Sequence, residues 1–190
     1  MTQMDRAGKS EQGQLYTERA NKLQAKIHGI VESYGVARPE LHKPSTEISI
    51  LIARVYNLVK TLFNGYTTER GLTHAKFTTL LLLFRTPGNK LRMYEISAEN
   101  HVTRTNITKL VDGLENEGFV ARLKDPTDRR SALIHLTHKG KEFVQTHLHE
   151  YLELQRWMFN ELTPSEQETL IAILYKLLIS LSNKAEETRE

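Results

Sequence analysis

The stretch Met93–Thr137, MYEISAENHVTRTNITKLVDGLENEGFVARLKDPTDRRSALIHLT, decides how the rest of the chain is read. Thr103 is placed to cap a helix, because a side-chain oxygen there accepts from the free N–H groups of the first turn, and Gly118 can end it. Between them Ile107, Leu110, Val111 and Leu114 recur at the i, i+3, i+4, i+7 spacing of one apolar stripe. Arg104, Thr105, Asn106, Thr108 and Lys109 fall largely outside that stripe, so one face packs and the first two turns stay polar. A shorter helix centred on Tyr94 to Glu99 precedes it, joined by Asn100, His101 and Val102. Two helices so closely linked must cross, which is helix-turn-helix geometry.

After Gly118 the period changes from helical to extended. Phe119 to Lys124 and Ser131 to Leu136 are short runs rich in apolar and β-branched residues, split by Asp125, Pro126, Thr127, Asp128, Arg129 and Arg130. This reads as a hairpin with a basic tip. Taken alone it is an ordinary solvated turn. Directly after a helix-turn-helix it reads as a wing, able to reach the phosphate backbone and minor groove beside the groove that a helix enters. Leu91 and Arg92 lead into the module and predict a short third strand.

These residues resemble a family. HVTRTNITKLVDGLENEGFVARLKDPTDRRSALIHLTHKGKEF is similar to the winged helix-turn-helix of MarR-type transcriptional regulators. Their pattern is V-S/T-R-x-x-hydrophobic-T, L-x-x-x-G-hydrophobic-V, D-P-x-D-R-R and L-T-x-x-G, and every landmark is present. The resemblance runs from about Thr46 to about Ser182. One departure stands in the turn between the two helices, where Asn100 and His101 replace the usual Leu-Gly. Both residue types tolerate a left-handed backbone better than most, so the turn is expected to keep that conformation.

The resemblance implies a mainly α fold: a winged helix-turn-helix with a small β-hairpin wing, plus long N- and C-terminal dimerisation helices. It implies a homodimer that binds double-stranded DNA, most often as a repressor, and releases it when a small aromatic or anionic effector binds. In that setting Thr103, Arg104, Thr105, Asn106 and Lys109 meet base edges and phosphates in the major groove. Asn106 can donate to and accept from adenine, and Arg104 can fork onto guanine or phosphate. Arg122, Lys124 and Arg129 serve the backbone and minor groove, with Asp128 orienting Arg130 and Arg129 entering the groove. Tyr56, Phe63, Tyr66, His74 and Phe77 could line an effector pocket, but each is equally well read as plain core.

Working outward, the domain plan has four parts: an N-terminal extension (1–44), a dimerisation helix (45–71), the winged module (72–137) and C-terminal dimerisation helices (138–190). In the extension a polar start of about thirteen residues reads as disordered. Tyr16, Leu23, Ile27, Ile30, Val31 and Tyr34 then mark a helix over about 15–34 that Gly35 can stop. Arg38 to Ser45, with two prolines, reads as a linker. From Thr46 to Arg70 apolar residues cover more than half a helix, so that helix packs on two sides. Thr73 can cap the next helix, which ends at Pro87-Gly88. Thr137 opens a helix running to about Asn160. Thr163-Pro164-Ser165-Glu166 forms a capping box ahead of a last helix with Leu170, Ile173, Leu174, Leu177, Leu178 and Leu181 on one stripe. This apolar surplus exceeds what one small winged domain can cover and calls for a second copy.

Charge separates along the chain. Leu72 to Lys141 holds twelve Lys/Arg against seven Asp/Glu, a surplus of five positive charges, whereas Glu142 to Glu190 holds four against nine, a surplus of five negative ones. A basic module beside acidic tail helices is the footprint of a nucleic-acid binder. The chain has no cysteine, which excludes thiol redox sensing and a Cys zinc site. His74, His101, His135, His138, His147 and His149 show no i, i+3 or i, i+4 pairing within one helix, so neither metal nor cofactor is expected. No Gly-x-Ser-x-Gly elbow or phosphate-binding Gly loop supports catalysis. No apolar run approaches the roughly 20 residues needed to span a bilayer. The start lacks a signal-peptide core, and cytoplasmic location is the default reading. The rival from another class is a winged-helix module that binds protein and no DNA.

Overall fold

The computed structural model describes residues 3–100, 104–125 and 132–188, with side chains from Tyr16 onward. The chain divides into two units, one reaching Leu62 and the other starting at Phe63. The division falls inside a single helix.

The first unit holds α1 (Gln3–Ala37) and most of α2 (Lys43–Thr68). α1 starts at Gln3 rather than near Leu15, because residues 3–14 are rich in helix formers but carry no apolar stripe for a periodicity argument to find. Ile27 and Val31 are buried, while Tyr16, Leu23 and Tyr34 of the same stripe are exposed. The link is only residues 38–42. Pro44 is not in it but in the first turn of α2, where a missing N–H costs nothing. Lys43 donates to both oxygens of Glu32, at 2.8 and 2.7 Å.

The second unit is built on α3 (His74–Arg85), α4 (Met93–Glu99), α5 (Arg104–Asn116), α6 (His138–Met158) and α7 (Pro164–Glu187), with β1 (Lys90–Arg92), β2 (Val120–Lys124) and β3 (Ala132–Leu136). Three of the predicted caps form, and the fourth, Thr103, lies outside the described residues. Thr73 accepts from Lys76 N–H, Thr137 from Gly140 N–H and Thr163 from Glu166 N–H, and the Glu166 carboxylate accepts from Thr163 N–H at 2.8 Å. The predicted third strand also forms. The sheet is antiparallel in the order β1-β3-β2, with Arg92 opposite Leu133, and Leu133 opposite Leu123.

α3 packs on α6, α5 and β3, and α5 packs on α4 and β2. The core between them is Phe77, Leu80, Leu83, Ile96, Ile107, Val111, Leu114, Ile134, Leu136 and Val144, all essentially without exposure. Phe63, Tyr66, His74, Phe77 and Tyr151 form an aromatic cluster, with the Phe63 and His74 rings stacked at 4.9 Å. α7 is different: none of its residues is buried.

Candidate nucleic-acid interface

α5 carries Arg104, Thr105, Asn106 and Lys109 of the predicted contact residues, and its sequence divides it lengthwise and end to end. Ile107, Val111 and Leu114 are fully buried and Leu110 half-buried, as the stripe predicted, while Thr105, Asn106, Thr108 and Lys109 are exposed. The apolar side fixes the helix on α3, α4 and β2, and the polar side is left facing outward. Of Arg104 only the backbone is described, and Thr103, Asp128, Arg129 and Arg130 lie outside the described residues.

The C-terminal end of α5 is anchored. Gly118 adopts φ +76°, and Gly118 N–H donates to Glu115 O at 2.9 Å and Phe119 N–H to Leu114 O at 2.9 Å. This is the paired bonding of a left-handed helix stop, which a residue with a Cβ would strain. Next to it, α6 approaches so closely that a Cβ at Gly140 would lie 2.3 Å from Phe119 O. The glycine of L-T-x-x-G is therefore the contact that seats α6 on the root of the wing. Thr137 completes the seat, its hydroxyl donating to Gly118 O at 2.8 Å.

Acidic residues of α5 form the rest of the anchor. Arg122 of β2 forks onto Asp112 and Glu115. Burial works to lower the Arg122 pKa, but the two carboxylates outweigh it and the net direction is up. Lys76 of α3 reaches Glu117 at 2.5 Å, and Lys139 donates to Glu117 O at 2.6 Å. Glu115 and Glu117 are both half-buried and paired, because β2 and α3 bring cations to them. Of the basic residues expected at the wing, Lys124 is exposed, whereas Arg122 is engaged within the fold.

In the turn before α5, His101 lies outside the described residues, and only Asn100 can be compared with expectation. Asn100 has φ −87° and ψ −1°, a right-handed conformation, so it needs no tolerance of positive φ. Its side chain explains its presence instead: Asn100 Nδ2 donates to the buried Thr79 hydroxyl at 2.9 Å, tying the end of α4 to α3. Sequence reasoning missed Asn100, Lys76, Asp112 and Arg92. Each works through a contact made by folding, and only the acid-rich tail of α5 hinted that cations were needed nearby.

A cleft of about 510 Å³ opens between α3 and α6 at this turn, with Leu81, Arg85, Glu99, Asn100, Leu148 and Gln155 among its walls. Phe63, Tyr66, His74 and Phe77 do not line it; they pack in the aromatic cluster, of which only Tyr151 reaches the cleft. Tyr56 is exposed in the other unit. Among the described residues no group of three or more His, Asp or Glu could hold a metal ion, and no helix is long and apolar enough to cross a membrane.

A pair of short helices in contact, a three-stranded wing sheet and an exposed polar face on the second helix define the winged helix-turn-helix class of transcriptional regulators. Comparison with known proteins gives the family. The MarR family model matches residues 72–132. The HTH-type transcriptional repressor YetL of Bacillus subtilis is 28% identical over 73% of this chain and 83% of its own. The uncharacterized HTH-type transcriptional regulator YkoM of the same organism is 33% identical over 66% of this chain and 80% of its own. Among solved structures, a mutant MarR from E. coli complexed with operator DNA superposes with a TM-score of 0.65 at 27% identity, covering 73% of this chain and 99% of that one. The chain belongs to the MarR family of transcriptional regulators, and it is not an enzyme.

Proposed function

We infer that the chain is a sequence-specific DNA-binding regulator, a repressor that binds a palindromic operator as a homodimer and loosens its hold when a small effector binds. The observation that carries this is the division of α5: three fully buried apolar residues seat a helix whose first turns present Thr105, Asn106, Thr108 and Lys109 to solvent. A helix held this way can enter a major groove with its N-terminal residues foremost. Thr103, Arg104, Thr105, Asn106 and Lys109 read bases and phosphates there, while Lys124 and Arg129 hold the backbone and minor groove beside it, with Asp128 orienting Arg130. Arg122 serves differently from the other wing cations, as the bolt between β2 and α5.

The homodimer follows from α7, where Ile171, Leu174, Leu178 and Leu181 are at least half exposed. Such a stripe left in water is costly, and a second copy covers it most simply. Two recognition helices related by a dyad then require half-sites about one DNA turn apart. The repressor YetL supports the sign of regulation, and the operator complex of the MarR mutant supports the ligand. The cleft supports the effector. Its walls are mainly apolar, with Arg85 and Glu99 paired at 3.1 Å, so an aromatic anion could compete with Glu99 for the guanidinium. Asn100 in the same wall would pass the disturbance to the turn ahead of α5.

The test is a mobility shift with the DNA upstream of the protein's own gene. A shift that disappears in a Thr103→Ala, Asn106→Ala double variant is the expected result. No shift on any genomic fragment would favour a protein-binding winged helix instead. Added phenolic acids should release the DNA.

A further inference from the structure

The wing leaves the sheet at Asp125, whose side chain is only 1% exposed. A carboxylate withdrawn from water stays ionised only if donors are brought to it. One donor comes from the opposite edge of the sheet: Arg92 Nε donates to Asp125 Oδ2 at 2.6 Å. β1 and β2 flank β3, so this guanidinium crosses the central strand to reach a residue just past the far one. The register allows it. Arg92 faces Leu133 and Leu133 faces Leu123, and directly opposed residues share a face, as do residues two apart along a strand. Arg92, Leu133, Leu123 and Asp125 thus follow one another across one face. Two strand spacings come to roughly 10 Å, a gap that needs the long arginine stem.

Arg92 is itself held. It is the last residue of β1 and the cap of α4, its backbone N–H donates to Glu95 Oε2 at 2.6 Å, and its Nη1 lies 3.5 Å from the Tyr94 hydroxyl. The start of the helix-turn-helix and the root of the wing are therefore joined through one side chain.

We propose that Arg92 is a positioning residue for DNA binding, which sets the direction of the wing against the helix-turn-helix by holding Asp125 across β3. The proposal rests on the DNA-binding reading above and adds a residue that acts without touching DNA. Loss of Arg92 removes a charge-assisted donor from a buried carboxylate. The carboxylate then turns toward water, and the backbone at Lys124 and Asp125 turns with it. Lys124 then loses its fixed relation to α5.

The decisive variant is Asp125→Asn, which is nearly isosteric and removes a negative charge close to DNA. On charge alone it should tighten binding, so weaker binding can come only from lost geometry. In mobility shifts with the operator fragment, D125N and R92A should each weaken binding by about tenfold, and the R92A/D125N double variant should be no worse than either single one, as expected for two members of one contact. R92K, which restores a donor without the fork, should recover part of the loss. Without DNA, limited trypsin digestion should cut R92A and D125N faster than wild type in residues 124–131. D125N binding as tightly as wild type or tighter, or losses that simply add, would overturn the proposal while leaving the DNA-binding reading intact. Absence of any shift by the wild-type protein would overturn both.

Discussion

α5 and α7 carry the same kind of apolar stripe and meet opposite fates. In α5 Ile107, Val111 and Leu114 are sealed beneath α3, α4 and β2. In α7 Leu170, Ile173, Leu174, Leu178 and Leu181 repeat at helical spacing over a helix twice as long, yet none is buried. α5 is the more sharply amphipathic of the two, but the supply of a partner decides whether a stripe is buried. The winged module completes its own core and so can hold out a polar face. No residue of α7 is buried, and in the proposed homodimer a second copy covers it and sets the spacing of two such faces.

The largest effect should come from removing the second fate. Leu174→Asp with Leu178→Asp should yield monomers by sedimentation and cut operator affinity by a hundredfold or more, on the order of the avidity lost when two linked sites become one. An unchanged dimer would show that α7 does not form the interface. The first fate is tested by Ile107→Ala, which should destabilise the fold by about 2–5 kcal/mol in urea unfolding. A surface-like loss there would mean that the stripe of α5 is not core. Arg129→Ala should leave both stripes untouched, weaken binding several-fold and lower the slope of log affinity against log salt by about one. An identical slope would remove Arg129 from the phosphate contacts.

The smallest effect concerns pH. His74 is held below its ordinary 6.5 by burial against Phe63, and its Nδ1 is buried without a hydrogen-bond partner. Protons therefore bind the unfolded chain more readily, so the stability due to the neutral ring is complete above pH 6.5 and is lost as pH falls toward the lowered folded value. The urea midpoint should drop between about pH 7.5 and about pH 5.5, and drop less in His74→Phe, which keeps the stack but cannot titrate. His147, also lowered by burial, contributes to what remains. Equal drops would show that His74 titrates normally.

The contrast between the helices also shows what the sequence could reveal. Local signals were legible: the stripes, the Thr73, Thr137 and Thr163 caps, the Gly118 stop, the hairpin and its third strand. Each depends on residues within a few positions of one another. Contacts made by folding were not. Nothing local pairs Glu115 and Glu117 with Arg122 and Lys76, which β2 and α3 bring to them, and Asn100, expected in a left-handed turn, is instead tied to Thr79. Of the residues proposed for a pocket, Phe63, Tyr66, His74 and Phe77 pack in one aromatic cluster and Tyr56 is exposed, while the cleft is walled by Arg85, Glu99 and their neighbours. Charge separation along the chain marked the module that faces DNA, but not which of its cations are kept for internal pairs. Arg92 and Arg122 are such cations; Lys124 is exposed.

The central claim is that paired copies of α5 read one duplex. Hydroxyl-radical footprinting of the wild-type protein on genomic DNA tests it directly. The account predicts two protected half-sites related by a dyad and centred about one helical turn, roughly 10 base pairs, apart, with flanking minor-groove protection from the wings. A single unpaired footprint, or protection without sequence preference, would contradict it.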